Sequence, residues 1–200
     1  MYSTNSAIIN NTEFNSSYMP VGINEDVTLT EVSVKKSTSN KDFIEFVFTN
    51  KDNQTVKMSE WKNEKNMWIK TDEDLQNRDN QQFGRILQII DAVKGGHGEF
   101  EGSSFLEMIN WVASQLSSGE PNRAVRLKVI YDKNGYTIVS PHGVFIEPTT
   151  VTESQIKLFK RDLLERPIKA DIEKPADPFA GVNTNTSDSE TNDGADDLPF

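Results

Sequence analysis

The chain has 200 residues, 35% of them hydrophobic, and its 31 acidic and 21 basic side chains give a formal net charge of −10. The absence of cysteine excludes disulfide bonds, a cysteine nucleophile and cysteine-based zinc sites, and two histidines are too few for a histidine-based metal site. No apolar run approaches the roughly 18 residues of a membrane span, and residues 1–15 lack the basic and apolar parts of a secretory signal. We therefore expect a soluble protein of a reducing cytoplasm with no membrane partner.

A flexible arm and three strands are predicted for the first part of the chain. Residues 1–19 are rich in Asn and Ser, so the folded part is expected to begin near Pro20. Runs of β-branched and alternating apolar residues then predict three strands joined by polar turns, at 27–36, 41–49 and 54–61. A further short extended piece is predicted at 67–70.

The apolar pattern changes to a helical period after the third strand. Residues 72–93 carry apolar side chains at helical spacing, and Gly95 is the expected stop. Ser104 and Glu107 have the spacing of a capping box, which predicts a second helix that ends at Gly119.

Extended structure is predicted again in the last third of the folded part. Residues 124–131 form a strand pattern, and Asn134-Gly135 is a strong signal for a two-residue hairpin turn. The remaining predicted elements are a returning strand, a last strand and a short helix, at 136–139, 144–146 and 152–164.

This order of elements is that of an OB-fold. We predict a mainly β protein, with an OB-like five-stranded barrel in one domain over residues 20–166. Its helical insertion, at 72–118, falls between the third and fourth strands. Within the barrel, Phe46 and Phe48 share one strand face with Ile44 and are expected in the core, as is Trp111 on its helix.

Most of the acidity belongs to the C-terminal segment. Residues 171–200 contain eight acids and one base, a charge of −7, whereas residues 1–170 carry −3 and hold 20 of the 21 bases. The apolar pattern fails after Pro167, so residues 167–200 are predicted to be a disordered acidic tail. The overall charge therefore does not exclude a nucleic-acid partner for the folded part.

The tail ends in two acids followed by two large apolar side chains. This tip, Asp196-Asp197-Leu198-Pro199-Phe200, resembles the C-terminal tip of bacterial single-stranded DNA-binding proteins. A strand-rich body with an acidic tail is also similar to the single-stranded DNA-binding proteins of tailed phages, which would act in the host cytoplasm. The resemblance implies a role in DNA replication, recombination and repair. It also implies a tip that docks a polymerase, helicase or nuclease.

The chemistry of the tip fits such docking. Phe200 and its terminal carboxylate suit an apolar pocket beside a cation, the two acids steer toward a basic rim, and Pro199 keeps the chain extended. The acidic tail would also compete with DNA for a basic groove until DNA displaces it.

Aromatic and basic side chains alternate along the predicted strands and the loops that join them. Single-stranded nucleic acid needs flat groups for base stacking and cations for phosphates. Trp61 and Trp68, flanked by Lys and Asn, are the strongest candidates for exposed stacking. The full set of candidate DNA-binding residues is Lys35, Lys36, Lys41, Phe43, Lys57, Trp61, Lys62, Lys65, Trp68, Lys70, Arg126, Lys128, Tyr131, Lys133 and Tyr136.

The favoured hypothesis is a non-enzymatic protein that binds single-stranded DNA without sequence preference and needs no cofactor or metal. One alternative is a Mg²⁺-dependent nuclease, because Asp52, Glu60 and Lys62 have the spacing of a metal-binding carboxylate pair with a lysine. Another is an acidic interaction or decoy protein that binds no DNA. A homo-oligomer is compatible with the sequence.

Overall fold

The computed structural model describes residues 17–118 and 122–167. These residues form six strands and two helices, and the strand–helix order matches the predicted one from the first strand to the last. The elements are β1 (Gly22–Lys36), β2 (Asp42–Thr49), β3 (Thr55–Trp61), α1 (Asp72–Lys94), α2 (Phe105–Ser117), β4 (Val125–Tyr131), β5 (Thr137–Val139) and β6 (Ile146–Pro148).

The strands form one antiparallel sheet that curls into a nearly closed, OB-like barrel. The order is β3-β2-β1-β4-β5, and β6 adds to β4. The 15-residue β1 serves both halves, since its first part pairs with β4 and its later part with β2. Register shifts between Asn24 and Val27 and between Leu29 and Glu31 bend β1, as bulges do in barrels. The two edge strands, β3 and β5, contact each other.

The helical insertion lies between β3 and β4, as the sequence predicts. Thr71 and Asp74 form a reciprocal capping box at the start of α1, and left-handed Gly95, with φ 87°, ends that helix. At α2, the Ser104 side chain accepts the Glu107 N–H, and the Glu107 carboxylate accepts the Ser103 N–H at 2.9 Å. Gly119, the predicted stop of α2, lies outside the described residues, and the helix ends at Ser117.

The core lies between the inner face of the sheet and the two helices. Ile44, Phe46 and Phe48 are fully buried, which confirms the face predicted for β2. Trp111 on α2 is partly buried against this core, with Phe83 and Phe100 at its ring. α1 contacts β6, and α2 contacts β1 and β2.

The folded body begins earlier than the sequence predicts. Met19 is fully buried, its N–H donates to the Thr55 carbonyl at 3.0 Å, and the Thr55 N–H donates to the Ser17 carbonyl at 2.9 Å. The predicted flexible arm over 1–19 is therefore wrong for residues 17–19, which pair with the start of β3. Residues 1–16 lie outside the described part, as do residues 168–200 with the predicted partner-binding tip.

Two predicted elements are wrong. Residues 67–70 form no strand, and residues 152–164 form no helix. Instead, residues 149–167, here called the covering segment, run along β4, and the Tyr131 N–H donates to the Leu163 carbonyl at 2.8 Å. Backbone carbonyls of this segment accept hydrogen bonds from β4, whereas in a helix they would accept hydrogen bonds from the same segment. Tertiary contacts therefore override the local helical pattern.

Candidate nucleic-acid interface

The outer face of β1, β2 and β3 carries a cross-strand row of one cation and two aromatic rings. Pairing of β1 with β2 sets Lys35 opposite Phe43, and pairing of β2 with β3 sets Phe43 opposite Trp61. Directly paired residues share a face of an antiparallel sheet. Because Ile44, Phe46 and Phe48 point inward, Phe43 and its partners point outward.

The two rings of this row stack on each other. The centroids of Phe43 and Trp61 are 4.2 Å apart with an interplanar angle of 17°, and Trp61 is 41% exposed. Phe43 thus covers one face of the Trp61 indole. A base that stacks on the open side of this pair would meet a preorganised flat surface, which lowers the cost of ordering on binding.

A cleft of about 400 Å³ opens beside Trp61. Lys41 and Lys62 line it together with Phe105 and the exposed Leu106 from the start of α2. The cleft therefore combines an indole face, an apolar wall and two ammonium groups, and the carboxylates of Asp42 and Glu64 also line it. A base can stack on the indole, and a phosphate at the ammonium groups would have to take the place of a carboxylate.

Trp68 is the most exposed aromatic side chain of the described residues, at 82%. It lies in the loop between β3 and α1, where the Asn66 side chain accepts the N–H groups of Trp68 and Ile69 at 2.8 and 3.0 Å. Ile69 is buried and anchors the loop, so its neighbour Trp68 projects outward. The predicted exposure of both Trp61 and Trp68 is confirmed.

Most predicted DNA-binding lysines near Trp61 already have a carboxylate partner. Lys36 pairs with Asp42 at 2.9 Å, and Lys41 pairs with Glu64 at 2.8 Å. Lys65 pairs with Asp72 at 2.6 Å. All three lysines are about half exposed, and such surface pairs contribute roughly 0–1 kcal/mol, so a phosphate could replace the carboxylate at small cost. Among the described residues, Lys62 and Lys70 make no ion pair.

Glu45 sits between two lysines in the middle of the outer face. Its carboxylate lies 2.5 Å from the Lys35 ammonium and 3.6 Å from that of Lys57. The hydrogen bond from Lys35 is the main cause that holds the pKa of Glu45 below its ordinary value, against the opposing effect of burial. Glu45 is thus charged at neutral pH and partly cancels the positive potential of this face.

Lys128 is wrong as a DNA contact, because its side chain is completely buried. Its ammonium donates to the His142 and Lys157 carbonyls, each at 2.9 Å, and to Asp162 Oδ2 at 3.2 Å. Three acceptors satisfy its three N–H donors. The Phe159 ring lies 4.6 Å away. Lys128 therefore fixes the covering segment to β4.

Arg126 also has a structural role in place of the predicted DNA contact. Its guanidinium binds Glu25 at 2.8 Å and Glu147 at 3.1 Å, and it donates to the Val151 carbonyl at 2.7 Å. The hydrogen bond to Glu147, followed by that to Glu25, raises the pKa of Arg126. The N–H groups of the Arg126 guanidinium are therefore used to hold the start of the covering segment, and they are not directed at a DNA groove.

Tyr131, Tyr136 and Lys133 lie at the opposite end of the barrel from Trp61. Tyr131 ends β4, and Lys133 and Tyr136 belong to the β4–β5 loop. The predicted hairpin is confirmed, but its two-residue turn is wrong, because residues 132–136 separate the strands and only Gly135 of the Asn134-Gly135 pair has a positive φ. Tyr136 is 60% exposed and lines a cleft of about 490 Å³ with Tyr131. The structure thus divides the predicted residues into two groups, joined by the outer face of β2 and β3, where Lys57 lies.

Formal charge is divided unevenly between the barrel and the helical insertion. Residues 72–118 contain eight acids and three bases, whereas the other described residues, 17–71 and 122–167, contain 13 acids and 16 bases. Within the second group, residues 17–71 are formally neutral, with eight acids and eight bases, and residues 122–167 hold the excess of bases, with five acids and eight bases. The acidic helical insertion is therefore the part of the described residues that a polyanion is expected to avoid.

The structure separates the carboxylates of the alternative nuclease site. Asp52 lies in the β2–β3 turn, and Glu60 lies near the far end of β3, about 17 Å along the strand from its first residue, Thr55, at the usual rise. Glu60 accepts a hydrogen bond from Gln82 at 2.7 Å and lies 3.7 Å from Arg85. No group of three or more potential metal ligands occurs among the described residues. Asp52 and Glu60 thus cannot share one metal ion in this structure.

Comparisons with known proteins leave the family of the chain open. No protein-family model matches the sequence. A search of curated proteins gives no match either. Among the described helices, none has the length and apolar character needed to cross a membrane.

Proposed function

We propose that the protein binds single-stranded DNA without sequence preference, on the outer face of β2 and β3. The observation that carries this proposal is the stacked pair of Phe43 and Trp61 beside a cleft that holds Lys41 and Lys62. A base stacked on an aromatic ring contributes about 1–3 kcal/mol whatever its identity, so such a surface binds many sequences.

The position of these residues in the barrel supports the proposal. OB-fold proteins bind oligonucleotides on the face of strands 2 and 3 and with the loops that join strands 1 and 2 and strands 4 and 5. Here Phe43, Lys57 and Trp61 lie on that face. Lys36 and Lys41 flank the first of these loops, and Lys133 and Tyr136 belong to the second.

Binding is expected to be specific for single strands, to weaken with salt, and to strengthen when Glu45 is neutralised. The base faces of a duplex are stacked and cannot meet Trp61, while phosphate contacts release counterions and so depend on salt. Glu45→Gln removes the carboxylate that Lys35 and Lys57 share, although Glu31 stays 3.7 Å from Lys35, and several-fold tighter binding is expected at low salt. Fluorescence anisotropy of labelled oligo(dT) and of a matched duplex, each at low and high salt, measures these effects.

Glu25→Gln is the control for this change in charge. It removes the same formal charge, but Glu25 pairs with Arg126, away from the outer face of β2 and β3. Its oligonucleotide affinity should equal that of the wild type. Equal affinity for single strand and duplex would contradict the proposed mode, and no binding at low salt would favour an acidic interaction protein.

The acidic tail supports a second part of the proposed function, the recruitment of replication or repair enzymes. Phe200→Ala removes the apolar anchor of the tip and should abolish capture of a tail-dependent enzyme, while affinity for oligo(dT) stays unchanged. A pull-down with a helicase, polymerase or nuclease, alongside an oligonucleotide titration, measures both. Retention of every partner by Phe200→Ala would contradict recruitment through the tip.

Deletion of residues 171–200 should leave DNA affinity equal or higher, because it removes a charge of −7.

A further inference from the structure

We propose that the cleft at the end of the barrel opposite Trp61 is a second base-stacking subsite, completed by Tyr18 and Arg166. This inference rests on the proposed function and extends it to residues that the sequence pattern does not indicate. The cleft has a volume of about 490 Å³ and is lined by Tyr18, Tyr131 and Tyr136, with Gln54 and Arg166. Three phenol rings, an amide and a guanidinium supply stacking faces, hydrogen bonds and a phosphate partner.

Tyr18 reaches the cleft because its neighbour is anchored in the core. Met19 is fully buried, and backbone hydrogen bonds on both sides of Tyr18 tie this short segment to Thr55. Since successive side chains of an extended segment point to opposite sides, Tyr18 faces outward and is 63% exposed. A large aromatic ring held at the surface by a fixed backbone is suited to bind a ligand.

Tyr136 is held by the hairpin turn on the other side of the cleft. The Asp132 carboxylate accepts the N–H groups of Asn134 and Tyr136, each at 2.8 Å, and the Tyr136 carbonyl accepts the Asp132 N–H at 2.8 Å. The hydrogen bond from Tyr136 is the main cause that lowers the pKa of Asp132, so the turn is held by a carboxylate at neutral pH. The backbone of Tyr136 is therefore fixed at the edge of the cleft, and its side chain is 60% exposed.

Arg166 lies across the same turn. A Cβ atom added to Gly135 would be 3.1 Å from Arg166 Nε and 3.2 Å from Arg166 Cγ, and Gly135 has φ +80°. Glycine thus satisfies both the left-handed backbone and the close approach of the arginine. Among the described residues, no carboxylate forms an ion pair with Arg166. Its guanidinium remains available to a phosphate, whereas many of the lysines near Trp61 are paired.

The two aromatic sites are joined by β3. Trp61 ends this strand and Thr55, the partner of Tyr18, begins it, a separation of about 20 Å at the usual rise per residue. The exposed Lys57 lies between them on the outer face. An OB-fold covers about 4–16 nucleotides, so one strand could occupy both sites. This continuity favours single-stranded DNA over a peptide as the occupant.

The test exploits the position of the tryptophans, none of which lines the tyrosine cleft. Tyr136→Ala and Tyr18→Ala should each weaken binding of oligo(dT) of about 12 nucleotides by roughly tenfold. The tryptophan quenching at saturation should not change, because the strand still stacks on Trp61. Tyr136→Phe keeps the ring and should bind nearly as the wild type does. Photo-crosslinking of the wild type to an oligonucleotide with 5-iodouracil should label Tyr18 or Tyr136.

Failure of this inference can be told apart from failure of the proposed function. If the alanine variants bind like the wild type and no crosslink maps to the cleft, the second subsite is overturned while binding at Trp61 stands. The cleft would then suit a different occupant, such as a proline-rich peptide. If the wild type itself shows neither quenching nor binding, the proposed function fails and the subsite fails with it.

Discussion

Lys128→Ala is expected to destabilise the protein by about 3–5 kcal/mol, because it leaves the Asp162 carboxylate buried without its cation. Both side chains of this pair are completely buried, and the variant also loses the hydrogen bonds to the His142 and Lys157 carbonyls. The covering segment would lose its anchor on β4. Chemical denaturation followed by far-UV circular dichroism measures the change.

The paired control is Lys133→Ala, which removes an exposed lysine of the β4–β5 turn and should leave stability nearly unchanged. Lys128→Met with Asp162→Asn removes both charges and should recover part of the lost stability, since no buried charge is left unpaired. If Lys128→Ala instead kept its stability and lost DNA affinity, the buried position of Lys128 would be contradicted.

The buried pair also gives the stability an acid dependence. Burial raises the pKa of Asp162, but the Phe159 N–H and the Lys128 ammonium outweigh it, and the pKa lies below its ordinary value. A carboxyl with a lowered folded-state pKa stabilises the fold above its unfolded pKa, near 4, and loses this contribution as pH falls through the folded value. The wild type should therefore lose stability in that acidic range, and Lys128→Ala should lose less.

Trp61→Ala is expected to weaken oligo(dT) binding by about 1–3 kcal/mol, or roughly 5- to 150-fold, because it removes the ring on which a base stacks. The stack with Phe43 is lost as well, at a cost in stability of about 0.5–1.5 kcal/mol. Oligonucleotide titrations and thermal denaturation of the same samples measure the two effects.

Two variants separate stacking from folding at this position. Trp61→Phe keeps an aromatic ring opposite Phe43 and should retain most of the affinity. Trp68→Ala changes a side chain that is 82% exposed, so any loss of affinity should come with no change in melting temperature. A Trp61→Ala variant with a much lower melting temperature and normal affinity would show that Trp61 serves the fold and not the DNA.

Local pattern predicts most of the strands because apolar alternation fixes which face is buried. On β2 the alternation predicts that Ile44, Phe46 and Phe48 point inward and that Phe43 points outward, without any knowledge of the partner strands. The hairpin at Asn134-Gly135 also follows from local chemistry, since Gly135 adopts φ +80°. The helical insertion follows from the change of period between β3 and β4.

The roles of Arg126 and Lys128 could not be predicted in this way. Alternation on β4 correctly places both side chains on the outer face, but it cannot show that a later part of the chain covers this face. The covering segment has apolar spacing that predicts a helix. In the structure the Lys157 carbonyl instead accepts a hydrogen bond from the Lys128 ammonium. A contact between residues 29 positions apart decides the local structure, and no local window contains it.

The sequence predicts Tyr131 and Tyr136 of the tyrosine cleft, but it misses Tyr18 and Arg166 for a similar reason. Tyr18 follows a run of Asn and Ser that predicts a flexible arm, and only the pairing of residues 17–19 with Thr55 brings it to the barrel. Arg166 lies at the end of the predicted domain, with no strand pattern around it. The closeness of these two residues is a consequence of the fold, so it is visible only in three dimensions.

The most direct test of binding at the outer face is tryptophan fluorescence of the full chain during titration with oligo(dT). We expect quenching that saturates, reverses on addition of salt and falls strongly in Trp61→Ala, because stacking on Trp61 and contact with phosphate occur together. Absence of quenching at low salt, or quenching unchanged by Trp61→Ala, would contradict binding at the Phe43–Trp61 pair.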